Sequence, residues 1–261
     1  MRSDLVFVSY NSRKYLEKAI QTLSSCPDDL QHIGTILIVD SASTDDTCEW
    51  LQHQAHVEFP TLTFNVSLLP ENRGYAAANN RYCTIAQPSP YVCFLNSDLE
   101  FTPGWLVKML YQMEANPNAA IAGPRLRLPD GRLAGCGCTT SFTHPRGWQE
   151  PDQGQYRHTE AVLSVGGSCF LVRCEFLDEV GGWDEQFPLY YEETDLCCQA
   201  TVRGCVVLYV GEAEVTHHHG ASTSSNPEIA RQVAQWCGES RVKFLEKWRE
   251  YPEFVRLAGE K

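Results

Sequence analysis

Two polar residues at the end of an apolar run are the first candidates for chemistry. The run 91–95 is followed by Asn96, Ser97 and Asp98. In an extended segment, residues two positions apart point to the same side, so Asn96 and Asp98 present two oxygen-bearing side chains together. Such oxygens suit a hard divalent cation that also carries phosphate oxygens. The alternative is a strand-to-helix turn capped by Asp98, with Pro103 starting the next helix; this segment alone does not decide between the two.

Carboxylates and histidines form two further candidate groups. Glu192, Glu193 and Asp195 lie within four positions, and crowded like charges raise the pKa of at least one carboxyl group, which suits a general base. Their alternative role is to cap the N-terminus of a helix, where they place negative charge. The histidine run 217–219 is either a source of metal ligands or a polar loop. Alternation along an extended segment puts His217 and His219 on one side.

A regular framework must position these side chains. Apolar stretches predict strands at 5–8, 36–39, 62–69 and 91–95, and each is followed by a helix-like stretch. This alternation predicts parallel βαβ units. Polar residues follow the strand ends, and right-handed crossovers bring such ends to one edge of a sheet. We therefore expect these residues to meet at that edge: Ser9, Asn11, Asp40, Asn72, Arg73, Asn96 and Asp98.

The usual phosphate-binding loops are missing. The sequence contains neither GxGxxG after its first predicted strand nor GxxxxGK[ST]. A dinucleotide enzyme of the usual kind and a P-loop nucleotidase are therefore not supported. A nucleotide would have to be held by side chains and a metal.

Composition and charge narrow the class of protein. The 261 residues are 43% hydrophobic and 21% charged, with a net charge of −12, which argues against a nucleic-acid-binding surface. The twelve cysteines include no CxxC pair, so we expect reduced, mostly buried thiols. No secretory signal precedes the first strand, and no apolar run approaches the roughly 20 residues of a membrane span. We therefore expect a cytoplasmic protein.

The second half of the chain predicts a different organisation. Residues 131–157 read as a long excursion with little regular structure, which is typical of functional loops. Strands are expected at 162–165, 169–172, 206–210 and 214–216, and a helix from Glu192 to about Val202. The last segment, 228–248, predicts an amphipathic helix whose apolar stripe packs on its own domain; the alternative is docking at the inner face of a membrane or on a partner.

Seven segments together resemble family 2 glycosyltransferases with the GT-A fold, most similar to the rhamnosyltransferase-like branch. They are residues 8–11 (Val-Ser-Tyr-Asn), 38–45 (Ile-Val-Asp-Ser-Ala-Ser-Thr-Asp), 71–80 (Glu-Asn-Arg-Gly-Tyr-Ala-Ala-Ala-Asn-Asn), 94–98 (Phe-Leu-Asn-Ser-Asp), 181–185 (Gly-Gly-Trp-Asp-Glu), 191–197 (Tyr-Glu-Glu-Thr-Asp-Leu-Cys) and 217–222 (His-His-His-Gly-Ala-Ser). The resemblance implies a Rossmann-like α/β fold: a mixed, mostly parallel sheet flanked by helices. It implies a GT-A domain over 1–225, divided into a nucleotide-sugar-binding half at 1–125 and an acceptor and catalytic half at 126–225. A helical tail follows at 226–261.

The same resemblance implies roles for individual residues. Asp40 would bind the nucleotide base, and the donor pocket would be lined by Ser9, Asn11, Asn72, Arg73, Asn96 and Ser97. Asp98 stands at the metal-binding position of the family's DXD-type motif, and His217 resembles the histidine that reaches the same Mg²⁺ or Mn²⁺ or the diphosphate. Glu193 stands at the position of the catalytic base. Trp183, Asp184 and Glu185 resemble the segment that borders the acceptor.

The implied reaction is inverting transfer of a sugar from a nucleotide-diphosphate sugar to a saccharide or lipid-linked glycan. Two departures from the family pattern matter. The base position holds Glu193 rather than aspartate, so Glu192 is an alternative base, and the first position of the metal motif is the neutral Asn96. A dTDP-rhamnose donor follows from the branch, with UDP-sugars as the alternative. Two other hypotheses are considered. A sugar-1-phosphate nucleotidyltransferase should have a Gly- and Arg-rich loop after the first strand, and this sequence has no such loop there. The other hypothesis is a non-catalytic sugar-nucleotide-binding or assembly protein.

Overall fold

The elements of the fold are described by a computed structural model over residues 1–85, 87–219 and 227–259. The strands in these ranges are β1 Ser3–Ser9, β2 Ile33–Asp40, β3 Phe64–Leu68, β4 Tyr91–Asn96, β5 Leu99–Phe101, β6 Ala119–Arg127, β7 Leu133–Gly135, β8 Thr159–Val162, β9 Cys169–Arg173 and β10 Val206–His217. The helices are α1 Arg13–Ser24, α2 Pro27–Leu30, α3 Thr47–His53, α4 Ala55–Glu58, α5 Tyr75–Asn79, α6 Trp105–Ala115, α7 Cys174–Val180, α8 Glu192–Val202, α9 Pro227–Lys247 and α10 Pro252–Gly259. A 3₁₀ helix, Asn80–Thr84, follows α5.

All these strands belong to one mixed sheet, in the order β3-β2-β1-β4-β9-β6-β10-β5, with β7 beside β6 and β8 beside β10. The longer strands β1 to β4, β6 and β10 run in one direction, and the short strands β5, β7, β8 and β9 run in the other. The predicted mixed, mostly parallel sheet is therefore confirmed. Its register aligns the strand ends, with Ser9 opposite Asp40 and Val8 opposite Asn96.

Helices cover both faces of this sheet, which explains the continuous apolar runs of its central strands. Leu5 and Phe7 of β1 pack in a cluster with residues of α1, α3 and α6. Val6, between them, faces the opposite side and packs in a cluster with residues of α5, α7 and α8. Alternate residues of a strand point to opposite faces, so each face receives its own core.

Several elements differ from the sequence-based expectation. The two strands expected at 206–210 and 214–216 are the single strand β10, whose register against β6 shifts between Val210 and Glu214; such an irregularity absorbs extra residues without ending a strand. The helix-like stretch that follows the third predicted strand is α only as far as Asn79. The side chain of Asn80 instead bonds both backbone groups of Trp183, at 2.8 and 2.9 Å. The short elements β5, α7 and α10 were not expected.

The C-terminal helices pack on the rest of the chain, as the apolar stripe predicted. Residues of α9, α10 and the segment between them form a cluster with three residues from the body of the fold: Phe142, Phe187 and Cys198. None of the helices in the described ranges combines the length and apolarity needed to cross a membrane. The division at residues 125 and 225 stays a prediction; β6 runs through residue 125.

Candidate active site

A cavity of about 760 Å³ opens where β1, β2 and β4 end. Polar residues from the strand ends line part of it: Tyr10, Asn11, Ser41, Thr44, Asn72, Asn96, Ser97, Asp98, His217 and His219. The loop before β9 and the segments around α8 and α9 contribute Gly166, Gly167, Ser168, Leu189, Tyr190, Glu192, Glu193, Glu228, Ile229, Gln232, Val233 and Trp236. The candidate carboxylates and histidines therefore share one cavity.

Asp98 and His217 are in direct contact in this cavity. Leu99 of β5 pairs with His217 of β10 in antiparallel register, which brings Asp98 Oδ1 to 3.1 Å from His217 Nε2. The amide nitrogen of Asn96 lies 3.5 Å from the same ring nitrogen. Although burial alone would raise the pKa of Asp98, the hydrogen bond and charge of His217 hold that pKa below its usual value. Asp98 is therefore ionised at neutral pH.

The histidine run alternates as predicted. The rings of His217 and His219 are 3.9 Å apart between centroids, and both residues line the cavity. His218 instead contacts Glu100, with 2.6 Å between its Nε2 and a carboxylate oxygen.

The capping role considered for Asp98 is wrong. The helix that follows, α6, begins at Trp105, and its first turn is capped by Asp29 from a distant part of the chain. The carboxylate of Asp29 accepts hydrogen bonds from the backbone N–H groups of Gly104, Leu106 and Val107 at 2.7 to 3.0 Å. Asp98 is thus left available to the cavity.

The donor set around Asp98 fits a cation that shares its ligands with a substrate. Asp98 offers a carboxylate and His217 an imidazole, and the buried Nδ1 of His217 has no hydrogen-bond partner. Among the described residues, no group of three or more His, Cys, Asp or Glu could hold a metal ion. A Mg²⁺ or Mn²⁺ ion here would therefore complete its coordination with phosphate oxygens and water, as Mg²⁺ commonly does.

Glu192 and Glu193 begin α8 at the cavity wall. The residue before them, Tyr191, has a left-handed backbone and forms no side-chain cap, whereas Glu192, Glu193 and Asp195 all lie in the first turn of α8, so the negative charge considered for the start of this helix is present. The Oε2 atoms of both glutamates are buried without a hydrogen-bond partner. Burial raises the pKa of both groups, and the charge of Glu193 raises the pKa of Glu192 further.

The loop Gly166-Gly167-Ser168 connects the metal motif to these glutamates. The backbone N–H of Asn96 donates to the carbonyl oxygen of Ser168 at 2.9 Å. On the other side, a β-carbon built on Gly167 would lie 3.1 Å from Cβ of Glu193. The hydroxyl of Tyr75 donates to the carbonyl oxygen of Gly167 at 3.0 Å. Asn96 and Glu193 therefore flank one short loop.

The charge in the cavity is one-sided. Four carboxylates are among the described residues that line it, namely Asp98, Glu192, Glu193 and Glu228, whereas lysine and arginine are not represented in that lining. A bound anion would find neither lysine nor arginine among these described lining residues.

The residues predicted to bind the nucleotide divide into two groups. Asn11, Asn72, Asn96 and Ser97 line the cavity, whereas Ser9, Asp40 and Arg73 do not. These roles stay predictions.

Asn11 and Asp40 organise the loop that follows β2. Asn11, with a left-handed φ of 50°, accepts a hydrogen bond from the backbone of Thr44 at 2.7 Å. Asp40 is buried, and its two oxygens accept from the N–H and hydroxyl of Ser43 at 2.8 and 2.6 Å. Ser9 lies behind the lining with its hydroxyl 3.0 Å from that of Ser12.

The predicted acceptor residues lie outside the large cavity. Trp183 is 2% exposed and packs against Tyr75, Phe94 and Phe170. Asp184 pairs with Lys247 at 2.7 Å, and Glu185 pairs with Arg73 at 3.1 Å. The three residues line a separate polar cleft of about 370 Å³. Their acceptor role stays a prediction.

Comparison with known proteins identifies the family. The model of the family described as "Glycosyl transferase family 2" matches residues 4–181. The chain belongs to this family. It is a glycosyltransferase, and the resemblance seen in the sequence is confirmed.

Relatives and solved structures agree with this assignment. The chain is 31% identical over 253 residues to an N-acetylglucosaminyl-diphospho-decaprenol L-rhamnosyltransferase of Mycobacterium tuberculosis, covering 85% of this chain and 78% of the relative. It is 26% identical over 202 residues to the O-antigen biosynthesis protein RfbC of Myxococcus xanthus, covering 73% of this chain and 15% of that protein. A Pyrobaculum calidifontis mannosyltransferase, solved with GDP-Man and Mn²⁺, superposes with a TM-score of 0.68 at 16% identity over 98% of this chain and 67% of that one. S. aureus TarS with UDP-GlcNAc superposes with a TM-score of 0.62 at 16% identity, covering 96% and 73%. These structures support the GT-A fold.

The glycosyltransferase cavity contains residues that the sequence did not single out as site residues. Ser168 is 7% exposed, and its hydroxyl has no hydrogen-bond partner; the only sequence signal was two glycines before a buried strand. Ile229, Val233 and Trp236 of α9 line the cavity, although their apolar spacing indicated packing on the domain. Trp148, from the excursion 131–157, and Tyr190 also line it. Residues 220–222 of the last resemblance segment lie outside the described residues.

Proposed function

We propose that this glycosyltransferase moves a sugar, with inversion, from a nucleotide-diphosphate sugar to a lipid-linked saccharide. The name of the rhamnosyltransferase relative supports L-rhamnose as the sugar and a diphosphate-linked lipid saccharide as the acceptor. The dTDP-rhamnose donor follows from the branch resemblance seen in the sequence, and a UDP-sugar is the alternative donor. A lipid-linked acceptor would bring the reaction to a membrane surface.

The observation that carries the proposal is the charge of the cavity. A sugar-nucleotide diphosphate would enter a space whose described lining includes four carboxyl groups, the ionised Asp98 among them, without a lysine or arginine. Such an anion is not stable beside carboxylates unless a cation neutralises it. Asp98 and His217, which lie 3.1 Å apart, would hold that Mg²⁺ or Mn²⁺ ion. The bound ion would supply positive charge for the departing diphosphate.

Glu193 is the proposed general base. It lines the cavity, and its Oε2 has no hydrogen-bond partner among the described residues, so this oxygen is available to an acceptor hydroxyl. Burial raises its pKa, which brings the group closer to the operating pH and strengthens it as a base. Glu193 takes the hydroxyl proton as the acceptor oxygen attacks the anomeric carbon opposite the diphosphate, so the configuration inverts.

A donor screen with and without metal tests the proposal. We expect dTDP-rhamnose or one UDP-sugar to raise the melting temperature in the presence of Mn²⁺ or Mg²⁺, and expect Asp98→Asn to abolish that shift. The same donor should then be consumed with a synthetic GlcNAc-diphospho-prenol acceptor, with loss of about 10²–10³-fold in kcat for Asp98→Asn. Absence of both binding and transfer across the donor panel would refute the proposal. A donor shift that is equal with and without metal would refute the cation site.

A further inference from the structure

Glu192 is a cavity residue with an unexplained side chain. It is 4% exposed, it lines the cavity beside Glu193, and its Oε2 has no hydrogen-bond partner. Native proteins rarely leave a buried polar atom unsatisfied unless a ligand or water completes it. The side chain therefore points to a hydrogen-bonding group of the substrate.

Among the described residues, no ion pair joins Glu192 to a cation. Lys247, on α9, donates hydrogen bonds to Asp184 at 2.7 Å and to Asp195 at 2.8 Å. Asp195 lies in the first turn of α8, as Glu192 does. The charge that acts on Glu192 is that of Glu193. The cations Arg241 and Lys247 act on its helix neighbours Tyr191 and Asp195. Two adjacent buried carboxyl groups in such surroundings cannot both ionise readily.

The order of ionisation separates the two glutamates. Burial raises both pKa values, and backbone N–H groups lower them in part: that of Glu192 acts on Glu192 itself, whereas those of Glu193 and Thr194 both act on Glu193. The pKa of Glu192 is raised further by the charge that Glu193 then carries. Glu193 therefore loses its proton first, and Glu192 keeps its own.

We propose that Glu192 binds the acceptor as a neutral carboxylic acid, donating a hydrogen bond to the hydroxyl next to the one that Glu193 deprotonates. This inference rests on the proposed function. During transfer, the acceptor oxygen forms a bond to the anomeric carbon, the bond from that carbon to the diphosphate oxygen breaks, and its electron pair leaves with the diphosphate. The hydroxyl proton passes to Glu193. The proton of Glu192 stays in place, so its task is to orient the acceptor.

Two substitutions of Glu192 separate hydrogen bonding from charge. Glu192→Gln keeps a hydrogen-bond donor and should lose no more than about tenfold in kcat/KM for the acceptor. Glu192→Met keeps the volume without the donor and should lose about 10- to 100-fold, mainly through the acceptor KM. Glu193→Gln removes the base and should lose about 10²–10⁴-fold in kcat. Glu239→Gln, on the exposed face of α9, is the surface control and should match wild type.

A deoxygenated acceptor provides a measurement that does not depend on a variant folding. We would use dTDP-rhamnose with GlcNAc-diphospho-prenol and with analogues that lack one hydroxyl on either side of the attacking one. For one analogue, kcat/KM of the wild-type enzyme should fall by the same factor as Glu192→Met loses with the complete acceptor. The Glu192→Met variant should use this analogue and the complete acceptor equally well. Glu192→Gln as inactive as Glu193→Gln, or Glu192→Met with a wild-type acceptor KM, would overturn the inference. Absence of transfer by the wild-type enzyme across donors would instead refute the proposed function.

Discussion

Gly167 lies against the side chain of Glu193, and a β-carbon on Gly167 would be 3.1 Å from Cβ and 3.3 Å from Cγ of that glutamate. Ordinary side chains rarely pack so closely. The backbone of Gly167 thus limits sterically where the side chain of Glu193 can lie. The carbonyl oxygen of the following residue, Ser168, accepts a hydrogen bond from the N–H of Asn96. The same loop therefore also sets the position of Glu193 relative to the metal motif.

Gly167→Ala should displace Glu193 and lower kcat. The glutamate would have to move by a few tenths of an ångström, and misplacement of a catalytic group by such distances is costly to rate. We expect a loss of about 10- to 100-fold in kcat, with the donor-induced thermal shift retained. The measurement is steady-state transfer together with thermal shift of the same preparations.

Gly166→Ala is the matched control for this substitution. An added β-carbon there would meet only the Cδ1 methyl of Leu126, at 3.3 Å, and a side-chain end can move aside. Activity within about threefold of wild type is expected. Equal losses in both variants would show that the loop, rather than the contact with Glu193, determines the rate.

The pKa directions of Glu192 and Glu193 predict opposite pH effects on activity and stability. Glu193 must be ionised to act, so kcat/KM should fall on the acid side above the ordinary glutamate value of 4.5. Both folded-state pKa values are raised, so the stability from these groups is full below 4.5 and is lost as pH rises through the folded values. Glu192→Gln should therefore gain melting temperature relative to wild type as pH rises from about 5 to 8. A constant difference across that range would contradict the assignment.

Much of the site could be predicted because buried parallel strands can be recognised from the local sequence. The apolar runs of β1, β2 and β4 are continuous since both sheet faces are covered, and the polar residues that follow them meet at one edge by topology alone. The cavity at that edge and the presence of Asp98 in it followed from that pattern, whereas the placement of Glu193 and His217 in the same site followed from the resemblance to the family.

Long-range contacts account for what the sequence did not indicate. The cap of α6 comes from Asp29, 75 residues before Gly104, so local spacing suggested Asp98 instead. β5 has three residues, too few to show a period, although it pairs with β10 and holds His217 beside Asp98. Trp183 resembles part of the segment that borders the acceptor, but it is buried by contacts with residues 75, 94 and 170, which lie far away in the sequence.

Lys247→Met should destabilise the fold by removing the cation that faces Asp195. The side chain of Asp195 is 2% exposed and is held by Lys247 Nζ and by Trp248 Nε1, both at 2.8 Å. Loss of one partner of a buried pair costs about 3–5 kcal/mol, and the bond from Trp248 that remains favours the lower end. Urea unfolding at neutral pH measures this. Lys243→Met, which removes only an exposed bond to the Gln186 carbonyl, should stay within about 0.5 kcal/mol; similar losses in the two variants would contradict a specific role for the buried pair.

Trp236→Ala should weaken acceptor use more than donor binding. Trp236 lines the cavity from α9, along with Ile229 and Val233, and an indole ring offers an apolar face for the C–H side of a sugar or for the first units of a prenyl chain. Its removal should raise the acceptor KM by about tenfold, equivalent to about 1.4 kcal/mol, and leave the donor-induced thermal shift in Mn²⁺ within error. Val242→Ala, at a position on the same helix that is 63% exposed, should change neither quantity. A reduced donor-induced thermal shift together with an unchanged acceptor KM would show instead that Trp236 contacts the donor. A second acceptor, with the same saccharide on a short alkyl chain, distinguishes contact with the sugar from contact with the prenyl chain. If the indole packs on the prenyl chain, Trp236→Ala and wild type should have the same KM for this short-chain acceptor. If the indole packs on the sugar, the difference in KM should remain.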